Sequence, residues 1–279
     1  MLGYYEKIPT YNSVKNEVYN FKKRHNGVKV FSTGTSVGGK RIYCLGIGTL
    51  LKSVLYVGGV HASEWLTINA LLTFANELAQ RSDNDPSFSS LLSKRGVMIV
   101  PCLNPDGVEI AIKSKGELSR YNANLNGVDL NHNFDAGFEE CKKIEKQNNI
   151  FLPSFRQYGG EFPESEPETH ALCTLCNLFE PNRAYALHSQ GEEIYYSYNS
   201  IEPLKSKEIA QKLARVSGYK LATQSGLCSH AGFKDWFILK KNLPAFTIEM
   251  GKGENPLPLN EFKTHYKKLR PLLWQSIVL

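Results

Sequence analysis

The 279-residue sequence predicts an α/β fold in which one sheet is covered by helices on both faces. Runs typical of strands alternate with runs typical of helices along the whole chain. Residues 53–60 and 97–101 are apolar on both strand faces, which indicates buried central strands. No repeat, low-complexity tract or Pro/Gly/Ser-rich linker divides the chain, so we predict one domain over residues 1–279.

The individual elements follow in order. Amphipathic spacing predicts helices over residues 12–24 and 62–80. A Gly-rich turn separates the first two strands. The predicted strands are residues 28–33, 40–46, 53–60, 97–101, 183–187 and 245–249. In sheets of this kind the chemistry collects at the strand ends and in the loops that follow them.

The charge pattern excludes one class of partner. The chain has 33 Lys and Arg against 27 Asp and Glu, a formal charge of +6, and its basic pairs are scattered. A nucleic-acid interface would need a concentrated basic stripe with aromatic residues, so we predict no nucleic-acid partner. A small anionic substrate is compatible with the charge.

The hydropathy pattern bears on location. No apolar run approaches the roughly 18 residues of a membrane span, so no membrane association is predicted. The N-terminus lacks a basic stretch followed by an apolar one, which predicts a cytoplasmic protein; a trimmed leader would instead indicate an extracellular or wall-associated one. Six cysteines are few for a disulfide scaffold and favour a reducing compartment.

The one close cysteine pair is Cys173 and Cys176. We predict that it lies inside a helix with Ser165 as the N-cap, Pro167 in the first turn and Glu168 at the capping-box position. No second CxxC completes a zinc site, so structural thiols are favoured over a redox or metal role.

Polar residues at strand ends suggest a metal site. His61 and Glu64 follow the strand over residues 53–60, and their spacing of three allows both side chains to reach one ion. His188 follows another apolar run, and with the first two it completes a set of two histidines and one glutamate. Three protein ligands with an open fourth position are what a hydrolytic zinc requires.

Two more carboxylates suit such a centre. Glu249 ends a predicted strand, where it can act as general base for a water if it is not itself a ligand. Asp129 can accept the free ring N–H of a zinc-binding histidine and fix its tautomer. Taken singly, each residue is equally consistent with a surface cap or a turn.

Seven motifs follow one another along the chain. They are His61-x-x-Glu64, Asn104-Pro-Asp-Gly107, Arg120, Gly127-Val-Asp-Leu-Asn-His-Asn-Phe134, Ser165-Glu-Pro-Glu-Thr169, His188-Ser189 and Phe246-Thr-Ile-Glu249. In this order they resemble the zinc metallocarboxypeptidases, from about residue 8 to the C-terminus. The resemblance implies a mixed sheet of about eight strands between helices.

The resemblance also implies roles for individual residues. It implies one zinc ion bound by His61, Glu64 and His188. Glu249 becomes the general base and acid, and Arg120 becomes the cation that faces the oxyanion of the tetrahedral intermediate. Asn131 and the next residue, His132, occupy the positions where the family holds a substrate carboxylate.

Residues 190–196 and 232–237 look like one bacterial branch of that family, the γ-D-glutamyl-L-diamino acid endopeptidases, which act on peptidoglycan stem peptides. Residues 120–124 fit the same branch. We therefore place Gln190 and Glu192 among the substrate contacts. Either Glu192 or Glu193 is predicted to recognise the ammonium of diaminopimelate or lysine, although both can also be solvated surface residues.

The chain departs from the digestive enzymes of the family at two positions. Their Asn-Arg pair is Asn131-His132 here, and an imidazole cannot reproduce the bidentate guanidinium contact to a terminal carboxylate. Their mobile Tyr aligns near Leu227, where this chain has none. His230 could reach the site from the same loop, or it could be a surface histidine.

The sequence thus predicts zinc-dependent hydrolysis of the γ-D-glutamyl–diamino acid amide in muropeptides. The alternatives are a plain carboxypeptidase, a metallo-amidohydrolase on small acyl amino acids, and a zinc-free module that binds cell-wall peptides. An intact set of ligands and base speaks against the last. No obligate protein partner is evident from the sequence.

Overall fold

The computed structural model describes residues 6–223, 226 and 230–279. Within these residues the strands are β1 (Val28–Thr35), β2 (Arg41–Ile47), β3 (Val54–Val57), β4 (Val97–Val100), β5 (Arg183–His188), β6 (Glu193–Tyr195), β7 (Lys220–Leu221) and β8 (Ala245–Glu249). They form one eight-stranded sheet in the order β1-β2-β4-β3-β5-β8-β6-β7. The four central strands, β4, β3, β5 and β8, are parallel, and antiparallel pairs join them to β2 and β6.

Helices cover both faces of this sheet. The described helices are α1 (Tyr11–Arg24), α2 (Leu66–Asn84), α3 (Pro86–Lys94), α4 (Pro105–Lys113), α5 (Phe138–Gln147), α6 (Pro167–Phe179), α7 (Ser206–Ser217), α8 (Phe233–Lys241) and α9 (Phe262–Val278). Among the described residues, no helix combines the length and the apolar character that a membrane crossing requires.

Strand β3 shows how the two cores form. Val54 and Tyr56 point into one apolar cluster with α1, α2, α7 and α9, whereas Leu55 and Val57 point into another with α6 and α8. All four side chains are buried, and each of the three aliphatic ones contributes about 1.5–3 kcal/mol. Burial on both faces explains the continuous apolar run in the sequence. The combination of parallel and antiparallel strand pairs, with helices on both faces, confirms the predicted mixed sheet between helices.

Six of the eight strands lie where the sequence predicts them. The other two, β6 and β7, have three and two residues, too few for a periodic pattern to stand out.

The predicted start of the second helix is wrong. Helix α2 begins at Leu66, not at residue 62, and the residues before it form turns. The Glu64 N–H donates to the His61 carbonyl at 3.2 Å, and the Thr67 N–H donates to the Glu64 carbonyl at 3.0 Å. His61 and Glu64 therefore converge because of a tight turn rather than a helical face.

The predicted cap of α6 is also wrong by one residue. Glu166 is the N-cap. The Ser165 hydroxyl instead donates a hydrogen bond to the Glu166 carboxylate at 2.8 Å and accepts one from the Asn133 side-chain amide at 2.9 Å. The helix itself is confirmed, and it buries both Cys173 and Cys176. Burial raises the pKa of both thiols above the usual range, which keeps them protonated and suits a packing role.

Candidate active site

The metal-binding residues come from the carboxyl ends of neighbouring parallel strands. His188 is the last residue of β5, and Glu249 is its partner at the end of β8. Strand β3 pairs with β5 on the other side, and the turn that holds His61 and Glu64 follows it. The sheet thus brings together residues that are up to 188 positions apart in the sequence, from His61 to Glu249.

Three side chains converge on one point. The Nδ1 atom of His61 lies 2.9 Å from Glu64 Oε1, and Nδ1 of His188 lies 3.0 Å from Glu64 Oε2. The two Nδ1 atoms are 3.2 Å apart. His188 and Glu64 are buried, and His61 is only slightly exposed.

These separations fit a tetrahedral zinc. Ligands at about 2.0–2.1 Å from a tetrahedral ion lie roughly 3.3 Å from one another, close to the distances between His61, Glu64 and His188. Two imidazole nitrogens 3.2 Å apart cannot both carry protons without repulsion, so at least one of them faces the other with a lone pair. A cation between them satisfies both.

Asp129 fixes the orientation of one ligand. His61 Nε2 lies 3.1 Å from Asp129 Oδ1, so Asp129 can accept the proton on Nε2 and leave Nδ1 as the nitrogen that would bind a metal ion. Burial alone would raise the pKa of Asp129, but His61 and His132 hold it well below its usual range. Asp129 therefore stays ionised beside His61.

Charge coupling within the group is strong. Burial would lower the pKa of His61, yet the carboxylates of Glu64 and Asp129 raise it well above its ordinary value. Burial likewise opposes the ionised form of Glu64, yet His61 and His188 lower its pKa to about 2. No Lys or Arg among the described residues pairs with Glu64, so its counter-charge must come from the imidazoles or from an ion.

Glu249 lies beside the ligand group without belonging to it. Loss of hydration and the nearby Glu64 carboxylate raise its pKa well above the ordinary value for Glu. Among the described residues, no hydrogen-bond donor contacts its carboxylate. A carboxylate with a raised pKa and no fixed partner can accept a proton from a water and return it.

A cleft of about 260 Å³ opens next to the ligands. Arg120 and Gln190, two of the predicted site residues, line it. The remaining lining residues are Ser63, Asn122, Arg156, Glu254 and Asn255. The Arg120 guanidinium forms an ion pair with the Glu254 carboxylate, so a substrate anion would compete with a solvent-exposed group for it.

Arg156 is a cleft residue that the sequence did not single out. It is exposed, and among the described residues no carboxylate pairs with its guanidinium. It lies in a loop without a periodic pattern, so no sequence signal marked it. The structure explains its position, because the N–H of the neighbouring Gln157 donates to the Asp129 carboxylate at 3.0 Å and holds this loop against the site.

The predicted substrate role of His132 does not fit its position. Its side chain is buried, and its Nδ1 lies 3.1 Å from the Gln157 carbonyl oxygen. Its ring belongs to a separate internal group with Cys141 and Glu145. The short helical turn Leu130–His132 rotates successive side chains in different directions, so His132 turns into the protein. Asn131 stays partly exposed, and its Oδ1 accepts the Phe233 N–H at 3.2 Å, at the start of α8.

Glu192 is likewise not a free substrate contact. Its carboxylate is paired with Lys268 at 2.7 Å and Lys252 at 3.4 Å, and these cations lower its pKa although partial burial opposes the shift. The charge that the sequence offers to a substrate ammonium is therefore already neutralised by the protein.

His230 has contacts of its own away from the metal ligands. Its Nδ1 lies 3.1 Å from the Tyr198 hydroxyl, beside Gly137 at the start of α5. None of its described contacts involves the ligand group. The position near Leu227 that carries the mobile Tyr in digestive enzymes lies outside the described residues.

Comparison with known proteins agrees with this geometry. A profile of the zinc carboxypeptidase family matches residues 15–273. The chain belongs to that family. Gamma-D-glutamyl-L-diamino acid endopeptidase 1 of Lysinibacillus sphaericus is 33% identical over 280 residues, which cover 92% of this chain and 69% of that protein. The uncharacterized protein YqgT of Bacillus subtilis is 33% identical over 296 residues, covering 98% and 78%.

Solved structures of the family share the fold. In the complex of bovine thrombin-activatable fibrinolysis inhibitor with tick carboxypeptidase inhibitor, the matching chain gives a TM-score of 0.78 at 21% identity and covers 99% of this chain and 97% of that one. As a member of the zinc carboxypeptidase family, the present chain is a zinc metallopeptidase. Its His61, Glu64 and His188 form the group that can hold the zinc ion.

Proposed function

We propose that this zinc metallopeptidase hydrolyses the amide bond between γ-D-glutamate and a diamino acid, such as diaminopimelate, in peptidoglycan stem peptides. The proposal that the chain is a hydrolase rests on the convergence of His61, Glu64 and His188 on one point beside Glu249. The substrate class is supported by the 33% identity to an endopeptidase named for this bond.

The protein residues have separate tasks in the reaction. Zinc, when bound, lowers the pKa of a water and polarises the scissile carbonyl. Glu249 takes the proton from the attacking water and delivers it to the leaving nitrogen, a role that suits its raised pKa. Asp129 keeps His61 in the tautomer that presents Nδ1 to the ion.

Arg120 stabilises the charge that develops on the carbonyl oxygen. Its guanidinium leaves the Glu254 carboxylate and donates to the oxyanion, an interaction that is strongest in the transition state. Arg156 and Gln190 line the same cleft and provide further donors for the carboxylates that stem peptides carry. The partly exposed Asn131 amide offers one more polar contact.

The position of His132 speaks against an ordinary carboxypeptidase. A residue next to Asn131 would have to hold the terminal carboxylate of a peptide, but the imidazole here is buried and turned toward Gln157, Cys141 and Glu145. An enzyme that cuts an internal γ-glutamyl bond does not need that contact beside the scissile bond.

Digestion of defined tri-, tetra- and pentapeptide muropeptides tests the proposal. Mass spectrometry should detect a fragment that ends in D-glutamate and a second fragment that begins with the diamino acid, and a chelator should prevent their formation. Release of only single C-terminal residues from the tetra- and pentapeptides would indicate a carboxypeptidase, since in the tripeptide the diamino acid is itself the C-terminal residue. Binding of the peptides without any cleavage would indicate a wall-binding module.

A further inference from the structure

Two glutamates face each other at the end of the sheet. Glu193 on β6 is the direct cross-strand partner of Glu249 on β8, so their side chains lie on the same face. A β-carbon added to Gly191 would lie 3.3 Å from Glu249 Cβ and 3.5 Å from Glu193 Oε2, so both side chains lie beside this glycine. Carboxylates directly opposite on neighbouring strands repel each other, and the charge of Glu193 contributes to raising the pKa of Glu249.

Glu193 also has a cross-strand partner on β7, Lys220, but the two side chains form no ion pair in the described part of the chain. Among the described residues, no Lys, Arg or His pairs with Glu193. Its carboxylate accepts a hydrogen bond from the Tyr195 hydroxyl, which donates to Oε2 at 2.6 Å and carries no charge. The adjacent Glu192 is different, because Lys268 and Lys252 compensate it. Glu193 is thus a partly exposed carboxylate for which the described residues supply no ion-pair partner.

The chemistry of Glu249 decides which part of a substrate Glu193 meets. A group that returns a proton to the leaving nitrogen must lie within hydrogen-bond reach of that nitrogen. Glu193 is beside Glu249, so it lies on the side of the leaving amine. The guanidinium groups of Arg120 and Arg156 line the cleft on the side of Ser63 and Asn255. In that cleft Arg120 is paired with the exposed Glu254 carboxylate, whereas Glu193 and Glu249 are not among its lining residues.

We propose that Glu193, oriented by the Tyr195 hydroxyl, forms an ammonium subsite that binds the free amino group of the departing diamino acid. This inference rests on the proposed function and adds the residue that distinguishes a diamino acid from an amino acid with one amine. An ammonium donates to the Glu193 carboxylate in a charge-assisted hydrogen bond. Its positive charge also relieves the repulsion between Glu193 and Glu249.

Two matched peptides test the subsite. The substrates are L-alanyl-γ-D-glutamyl-L-lysine and the same peptide with norleucine, which has a similar chain but no ammonium. Wild-type protein should favour the lysine peptide in kcat/KM by roughly tenfold to a hundredfold, the range for a hydrogen bond between charged groups. In Glu193→Gln that preference should fall to about one, mainly through a higher KM for the lysine peptide.

Glu192→Gln is the matched control, because its neighbouring carboxylate is already paired with lysines, and it should keep the preference. Circular dichroism and zinc content identify any variant that fails to fold. An unchanged preference in Glu193→Gln overturns the proposal, as does an equal loss on both peptides or a wild type without preference. If the wild type cleaves neither peptide, the proposed function itself fails and this inference fails with it.

Discussion

The group of His61, Glu64 and His188 and the group of His132, Cys141 and Glu145 offer similar ligand types at similar spacing. In the second group, the Glu145 carboxylate forms an ion pair with the Lys142 ammonium and accepts a hydrogen bond from the Gly159 N–H. The His132 ring is hydrogen-bonded to the Gln157 carbonyl. In the first group, Glu64 contacts the imidazoles of His61 and His188, and no Lys or Arg among the described residues pairs with it.

This difference teaches that ligand spacing alone does not make a metal site. The Lys142 ammonium takes the place of a metal ion beside Glu145, so the second group is an internal structural network with no need of further charge. The first group lies next to a cleft and has two imidazole nitrogens that face each other at 3.2 Å. Charge compensation and access separate the two groups, and each of the following predictions tests that separation.

Metal removal should have the largest effect. A chelator should abolish hydrolysis of muropeptides, because the water and the scissile carbonyl then lose their activation, and added zinc should restore it. The assay is product formation by mass spectrometry before and after dialysis against chelator. Full turnover by protein shown to be metal-free would refute the catalytic assignment of the first group.

Glu249→Gln should lower kcat by about a thousandfold, since the amide cannot take the water proton. The zinc content should stay at one ion per chain, because Glu249 is not in the ligand group. Steady-state kinetics and metal analysis measure the two quantities. Glu208→Gln, an exposed residue on α7, serves as the control and should behave like the wild type. Normal turnover in Glu249→Gln would place the general base elsewhere.

Arg120→Gln should lower kcat by about a hundredfold to a thousandfold, the usual cost of removing a donor to an oxyanion. Its ion pair with Glu254 is exposed, so the fold should remain intact. Arg215→Gln on the exposed surface of α7 is the matched control. A change in KM with kcat preserved would show that Arg120 binds the ground state only.

Glu145→Ala should have the smallest effect on activity and a clear effect on stability. It leaves Lys142 and the Gly159 N–H without their buried partner, which should cost about 3 kcal/mol in the free energy of unfolding. Turnover per folded molecule should stay normal. Glu140→Ala, on the same helix with an exposed ion pair to Lys143, should lose much less stability in urea unfolding. A loss of zinc in Glu145→Ala would instead make the second group a metal site.

The sequence predicts most of the sheet because the central strands are buried on both sides. That burial forces continuous apolar runs such as residues 53–60, which stand out without any structure. The site residues at strand ends follow from the same logic, since polar side chains that interrupt such runs collect at one edge. His188 and Glu249 are of this kind, and they are paired across β5 and β8.

The direction of side chains in turns is what the sequence leaves open. His132 and Asn131 are neighbours, yet one is buried beside Cys141 and the other remains partly exposed, because a single short turn sends them different ways. Glu192 and Glu193 differ for a related reason, since the lysines that neutralise Glu192 come from distant positions. Arg156 enters the cleft from an irregular loop, where no periodicity indicates orientation.

The zinc content of two matched variants, His188→Ala and His132→Ala, tests the central claim most directly. Each removes one buried histidine from one of the two groups. Metal analysis of the folded, purified proteins should find that His188→Ala has lost its zinc, while His132→Ala still holds one ion per chain. Zinc retained in His188→Ala and lost in His132→Ala would contradict the account.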